Sequence, residues 1–411
     1  MVNFLNFFRI LKNRNFFIFS ISQVFSQIGD KVNHFSFFAI LKDLAYGNPL
    51  AFSFLSASIT LPVILFSPFA GILIDRFDRK RIMVFSEILR AFFVFLILFI
   101  GIKFKSLILL YFFIFFLFLS TLFSNVSKIS SIPEFLKSKE EILTANSFNN
   151  MIVRISTLLA MFSSGILIEL KLWKNLNLKG YDVVLFLNSF LFIISGFILS
   201  FLSIKRAQME KEKRNFFKDL KEGLKIANEN KNVLFVYLTI ISLAFLGSII
   251  YVILSILIQQ VLSFGTKGMG IIGTFAAFGT ILSAFLFGNY GKNLNKIKVI
   301  TYSFFSLAVI IFLFSFINRL SFLILISFIG GLFIAPIMIS QDTIIHEEVN
   351  VNYRGRIFSF REFFVNTLFV IFGFLNGISG KYIGAKETII ICSIFLFFLN
   401  IFSILIYNFK K

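Results

Sequence analysis

This chain is poor in the residues that carry covalent chemistry. Among its 411 residues stand one cysteine and two histidines. A lone Cys392 excludes an internal disulfide and a thiolate metal cluster. His34 and His346 are expected near opposite faces of a membrane, so they cannot join in one metal or catalytic centre. No Gly-x-Ser-x-Gly, His-x-x-x-Asp or His-Glu-x-x-His pattern occurs, so an enzyme nucleophile with its base, or a zinc site, is not expected. The absence of a Gly-x-x-x-x-Gly-Lys phosphate loop excludes direct drive by ATP. Charge is scarce too, at 15% of residues, and acidic residues number 20 against 40 basic ones.

What the chain has is hydrophobic length. It is 58% hydrophobic, in repeated runs of about 20 residues, enough to cross a hydrocarbon core of about 30 Å. Such runs read as helices, since barrel strands would alternate apolar and polar residues. Twelve spans can be placed, from 16–41 to 388–408. The first begins after Arg9, Lys12 and Arg14 and is too long for a cleaved signal core, so it is expected to remain in the membrane. The 64 phenylalanines read as compositional bias of the source.

An even number of spans puts both termini on one side. The amino-terminal segment, the even-numbered connections and the tail carry well over half of the Lys and Arg residues, which assigns that side to the cytoplasm. The net charge of +20 is thereby a topology signal, and no nucleic-acid partner is expected. The longest connection, 205–232, mixes both signs and is expected to be an amphipathic cytoplasmic linker. It separates an amino-terminal six-helix half, 1–204, from a carboxyl-terminal half, 233–411. The halves repeat: Ser147-Phe-Asn-Asn-Met-Ile-Val-Arg154 aligns without gaps on Ser359-Phe-Arg-Glu-Phe-Phe-Val-Asn366. In such duplicated carriers the substrate site lies near mid-membrane.

Between the second and third spans runs Gly71-Ile-Leu-Ile-Asp75-Arg76-Phe-Asp-Arg79-Lys80-Arg81. It resembles the signature loop of the major facilitator superfamily at Gly71, Leu73, Asp75, Arg76, Arg79 and Lys80. Pro133-Glu134, Ala145-Asn146-Ser147, Tyr353-Arg354-Gly355-Arg356 and Gly29-Asp30 are similar to features of the branch holding macrolide exporters, the enterobactin exporter and the lysophospholipid transporter. An Arg-bearing motif in the fourth span and a Gly-Pro-rich motif in the fifth are absent. The resemblance implies an all-α membrane protein of two pseudo-symmetric six-helix halves. It implies a secondary active transporter exporting a hydrophobic or amphipathic molecule, such as a drug or a siderophore-like compound, by alternating access. A lysophospholipid flippase or importer is the alternative. A membrane-embedded enzyme and a non-transporting sensor are the other classes to weigh.

Transport of this kind needs ionisable groups inside the membrane, where each is costly. Asp30 is the first candidate, with His34 one turn on, for ion coupling or for a cationic group; Lys31 or Arg154 is its expected partner. Arg154 cannot shed its charge and is expected at the cavity, with its repeat mate Asn366 as a neutral contact. Glu87 and Arg90, spaced i,i+3, are expected to pair structurally. Gly71, Asp75, Arg76, Arg79 and Lys80 are expected to form a cytoplasmic gate with Arg354 and Arg356, in which Arg76 and Arg79 reach Glu347 or Glu348. No cofactor or metal is expected, only a proton or sodium gradient. The partners would be the lipid bilayer and the substrate, with the protein acting as a monomer in the inner or plasma membrane.

Overall fold

A computed structural model describes residues 10–136, 139–203, 230–349 and 351–409. The described residues form twelve long helices and no strand. They are α1 Arg14–Leu44, α2 Pro49–Arg76, α3 Arg79–Leu96, α4 Leu107–Phe135, α5 Lys139–Ile168 and α6 Gly180–Ser200. There follow α7 Lys231–Ser248, α8 Gly265–Tyr290, α9 Lys296–Phe314, α10 Leu320–Glu348, α11 Val351–Tyr382 and α12 Ala385–Phe409. Eleven are long and apolar enough to cross a membrane. The exception is α1, whose interior carries Gln23, Gln27, Asp30, Lys31, Asn33 and His34. Polar residues at that density are tolerated in a membrane only where they face protein or water.

The chain divides into two compact units, Met1–Leu44 with Ser58–Glu212, and Ala45–Ala57 with Lys213–Lys411. The expected linker lies outside the described residues as far as residue 229. In the first unit α1 packs on α5 and α6, and α3 on α4 and α6. In the second α7 packs on α11 and α12, and α9 on α10 and α12. The pairing order is therefore repeated, and the helix caps repeat with it. Asn13 accepts from the amides of Asn15 and Phe16 at 3.0 and 3.2 Å; Asn230 accepts from those of Asn232 and Val233 at 2.9 and 3.2 Å. Each side chain satisfies amides that the first helical turn leaves without partners.

The unit boundary departs from the sequence reading at residues 45–57, which group with the second unit. There the start of α2 lies against α11, and Ser53 Oγ donates to Gly373 O at 2.7 Å. Gly47 N donates to Gln260 Oε1 at 2.7 Å, on the wide π turns Ile249–Leu254 and Leu257–Val261 that extend α7. The helix α4 runs on past its most apolar stretch to Phe135. Its serine-rich end stays helical because Ser131 Oγ donates to Ser127 O at 2.7 Å and Ser127 Oγ to Arg79 O at 2.9 Å. Those hydroxyls are satisfied inside the protein.

Candidate functional site

The most polar part of the first unit is a closed ionic network on three helices. Helical periodicity puts Ser26 and Asp30 on one face of α1, Glu87 and Arg90 on one face of α3, and Ser124 and Lys128 on one face of α4. Glu87 Oε1 accepts from Ser26 Oγ at 2.9 Å, Ser124 Oγ at 2.8 Å, Arg90 Nη1 at 2.9 Å and Lys128 Nζ at 2.6 Å. Arg90 Nη2 donates to Asp30. Arg90 Nη1 and Lys128 Nζ both donate to Ser26 Oγ at 2.7 Å. Glu87, Arg90 and Lys128 are fully buried, and Asp30 is 7% exposed. Two acids and two bases cancel, which is what makes burial of four charges tolerable.

α6 closes the network from the side. The Phe192 ring lies 4.0 Å beneath the Arg90 guanidinium, a cation–π contact. Asn188 Nδ2 donates to Gly29 O at 3.1 Å and to Asn33 Oδ1 at 2.6 Å. Gly29 permits this approach: a Cβ there would lie 2.8 Å from Asn188 Oδ1 and from Phe192 Cε1. The Gly29-Asp30 pair thus has a packing reason for its first residue and an electrostatic one for its second.

Beside this network, at the start of α3, Asp78 caps the helix by accepting from Arg81 N. Arg79 Nη1 donates to Glu134 Oε1 at 2.5 Å and Ser130 O at 2.8 Å. Burial raises the Glu134 carboxyl above its ordinary range, and the Arg79 guanidinium opposes that. The second unit has its own polar group. Arg361 on α11 donates to Asp342 on α10 and, through Nη2 at 3.3 Å, to Gln341 Oε1. Gln341 Nε2 in turn donates to Thr239 Oγ1 on α7 at 3.0 Å.

The Major Facilitator Superfamily model matches residues 19–292 and 236–409, which takes in both polar groups. The chain belongs to the major facilitator superfamily. Among similar proteins, the Bacillus subtilis (strain 168) protein named "Putative bacilysin exporter BacE" is 26% identical over 352 residues, covering 82% of each chain. The "Uncharacterized MFS-type transporter YfiS" of the same organism is 26% identical over 407 residues, 93% of this chain and 91% of that one. Of solved structures, the nucleoside transporter NupG superposes with a TM-score of 0.78 at 12% identity, covering 97% of this chain and 100% of that chain. A bacterial homologue of the human lysosomal transporter Spinster gives 0.75 at 13% identity, with 96% of each chain covered. These likenesses show the superfamily fold. The protein is a multi-pass membrane transporter and not an enzyme.

Several expected pairings in this superfamily member are corrected by the structure. Asp30 is paired with Arg90, not with Lys31 or Arg154. The face of α5 turned into the protein carries Ile152, Ser156 and Ala160; Arg154 is exposed on the other side and has no ion pair among the described residues. The His34 ring packs on Phe118 with centroids 5.3 Å apart. Asn366 Nδ2 donates to Glu362 O of its own helix at 2.8 Å. Glu87 and Arg90 do pair, but within a four-charge network rather than alone.

At the superfamily's charged loop, Arg79 holds Glu134 within the first unit. The reason is that α3 and α4 form a hairpin, which sets the start of one helix beside the end of the other. Glu347 pairs with Lys296 at 3.4 Å, and Glu348 accepts from Asn230 and Asn232. Lys80 is partly exposed. Gly71, Asp75, Arg76, Arg354 and Arg356 fall outside the residues whose side chains are described.

The sequence reading missed Lys128, Asp342 and Arg361. Lys128 follows the most apolar stretch of α4. Ser124, Ser127, Lys128 and Ser131 nevertheless recur at helical spacing, and that stripe was the available signal.

Proposed function

We propose that the protein is a secondary active exporter of a hydrophobic or amphipathic small molecule. It would work by alternating access under a proton or sodium gradient. The observation that carries the reading is α1, a bilayer-length helix too polar for lipid, which secures its charge in an internal network. A helix of that kind belongs to a polar path through the membrane. Export, rather than import, is supported by the similarity to a protein named as an exporter over four-fifths of both chains. Both termini would lie in the cytoplasm, from the distribution of basic residues.

In this reading Asp30 anchors the first half instead of exchanging ions directly. To reach water, its carboxylate would have to leave Arg90 and break a neutral cluster of buried charges, which costs about 3–5 kcal/mol. The gate expected around Asp75 remains part of the proposal, with Arg79 holding the loop to α4.

The test is transport in proteoliposomes holding the folded protein. A fluorescent hydrophobic dye should move against its concentration gradient only when a proton or sodium gradient is imposed. Fluorescent lysophosphatidylethanolamine is followed in parallel by albumin back-extraction. Gradient-sensitive lipid flipping without dye transport would replace export by the lysophospholipid reading. Movement of neither probe would count against amphipathic export.

A further inference from the structure

The connection between α5 and α6 has a fixed shape and an apolar outside. Residues Lys171–Asn175 make a short helical turn. Asn177 ends it in the left-handed region, at φ 54°. Leu178 N donates to Trp173 O at 2.8 Å and Asn177 N to Lys174 O at 3.2 Å, so the last carbonyls of the turn are satisfied. The Trp173 indole Nε1 donates to Leu167 O at 2.6 Å, which ties the turn to the end of α5. At Gly180, the first residue of α6, a Cβ would meet Ile168 O at 1.8 Å and Trp173 Cδ1 at 2.9 Å. Only glycine lets the two helix ends close there. Held at these points, the turn still leaves Leu172, Leu176 and Leu178 53%, 55% and 48% exposed.

The helix that follows sets the depth of these leucines. α6 has 21 residues, about 31 Å at 1.5 Å per residue, which matches a hydrocarbon core of about 30 Å. From Phe186 to Phe197 every exposed residue of α6 is Phe, Leu or Ile, the stripe expected of a face turned to acyl chains. Residues just before Gly180 therefore fall at the headgroup layer, and the leucine-bearing turn stands at the end of that stripe.

Charge fits the same layer. Residues 169–179 carry three lysines and one glutamate. Lys179 is held by Asp43 at 3.2 Å. Lys171 and Lys174 are exposed and have no ion pair among the described residues. Their i,i+3 spacing puts both on one side of the turn, while Leu172 and Leu176, spaced i,i+4, share another. Leucines and a tryptophan beside lysines are the composition of a segment that lies in a membrane interface. Basic residues there gain from anionic lipid.

We propose that this turn is an anchoring site for anionic phospholipid of the surrounding bilayer. Leu172, Leu176 and Leu178 enter the edge of the hydrocarbon, and Lys171 and Lys174 bind the headgroup phosphate. The site fixes the height of the α5–α6 end in the membrane. Its occupant is a bilayer lipid and not a transported molecule, so the assignment is independent of what the carrier moves.

Trp173 is the only tryptophan of the chain, and its emission reports this turn alone. The full-length protein is placed in liposomes of phosphatidylcholine and phosphatidylglycerol in equal parts, with bromine on the acyl chains of one lipid at a time. Bromine near the glycerol end of the chain should quench Trp173 more than bromine near the methyl end. Brominated phosphatidylglycerol should quench about twofold more than phosphatidylcholine brominated at the same place. Lys171→Gln/Lys174→Gln should abolish that preference and leave the depth order and the unfolding temperature unchanged. Lys179→Gln, whose cation is already held, should keep it. Equal quenching by the two lipids in wild type, or a preference that survives the double variant, overturns the headgroup assignment. Quenching by aqueous acrylamide that exceeds quenching by every brominated lipid overturns the placement in the interface.

Discussion

Counted from the first residues of α3 and α9, Glu87 falls opposite Phe304 and Arg90 opposite Leu307. Counted from the caps Asn13 and Asn230, Asp30 falls opposite Gly247. Lys128 corresponds to Gln341 when counted back from Glu134 and Glu347. The halves share caps, helix pairings and an acid–base contact at the α3–α4 and α9–α10 corners. Yet the positions that are ionic in one are uncharged in the other, where Phe304, Leu307 and Gln341 are buried. The second half keeps its charge at the margin, in Asp342 and Arg361. Equivalent backbone positions can therefore hold either a buried ionic network or a core without charge.

Breaking the locked network should have the largest effect. Glu87→Gln leaves Arg90 and Lys128 with one buried carboxylate between them. The expected loss is about 3–5 kcal/mol, read as a large fall in the unfolding temperature of the purified protein. Phe304→Leu, at the equivalent position, should cost about 1 kcal/mol. Equal losses would remove the distinction between the halves.

Gly29→Ala comes next. Its methyl group would force Asn188 and Phe192 away and uncover the Arg90 guanidinium, at a cost near the upper end of about 1–3 kcal/mol. In the corresponding helix of the other half, a Cβ on Gly247 would meet Phe369 at 3.4 Å, an ordinary contact. Gly247→Ala should therefore unfold close to wild type. Thermal unfolding of the two variants side by side checks this.

The smallest contrast is at the corners. Arg79 and Glu134 expose 8% and 9% of their side chains, Lys296 and Glu347 27% and 55%. Arg79→Ala should cost about 1–2 kcal/mol at neutral pH, since it leaves a buried acceptor unpaired. Lys296→Ala should cost about 0–1 kcal/mol. Burial raises the Glu134 carboxyl above its ordinary 4.5 despite Arg79. The folded state thus favours the protonated acid. That contribution is complete below about 4.5 and is lost as pH rises through the raised value. Without Arg79 the value rises further, so the deficit of Arg79→Ala should widen as pH increases from 4.5. A deficit that does not change with pH would mean that Glu134 does not titrate there.

Hydrophobic run length was enough to determine a polytopic helical protein, because a bilayer imposes its thickness on any helix that crosses it. The Gly71–Lys80 loop and the repeat at Ser147 and Ser359 pointed to the superfamily, and the cost of intramembrane charge marked Asp30, Glu87 and Arg90 for attention. Partners were beyond the sequence. Which helix face meets which neighbour depends on how helices distant in the chain are packed, and it is this packing that buries Lys128 near the end of α4. Arg154 illustrates the converse: the sequence offered it as a partner for Asp30, but the buried face of α5 carries Ile152, Ser156 and Ala160 instead. Only the tertiary structure could decide that Arg90 closes on Asp30, that Gly29 makes room for Phe192, and that Asp342 stays half exposed beside a buried Arg361. Direction and enclosure arise from packing, and hydropathy records only depth.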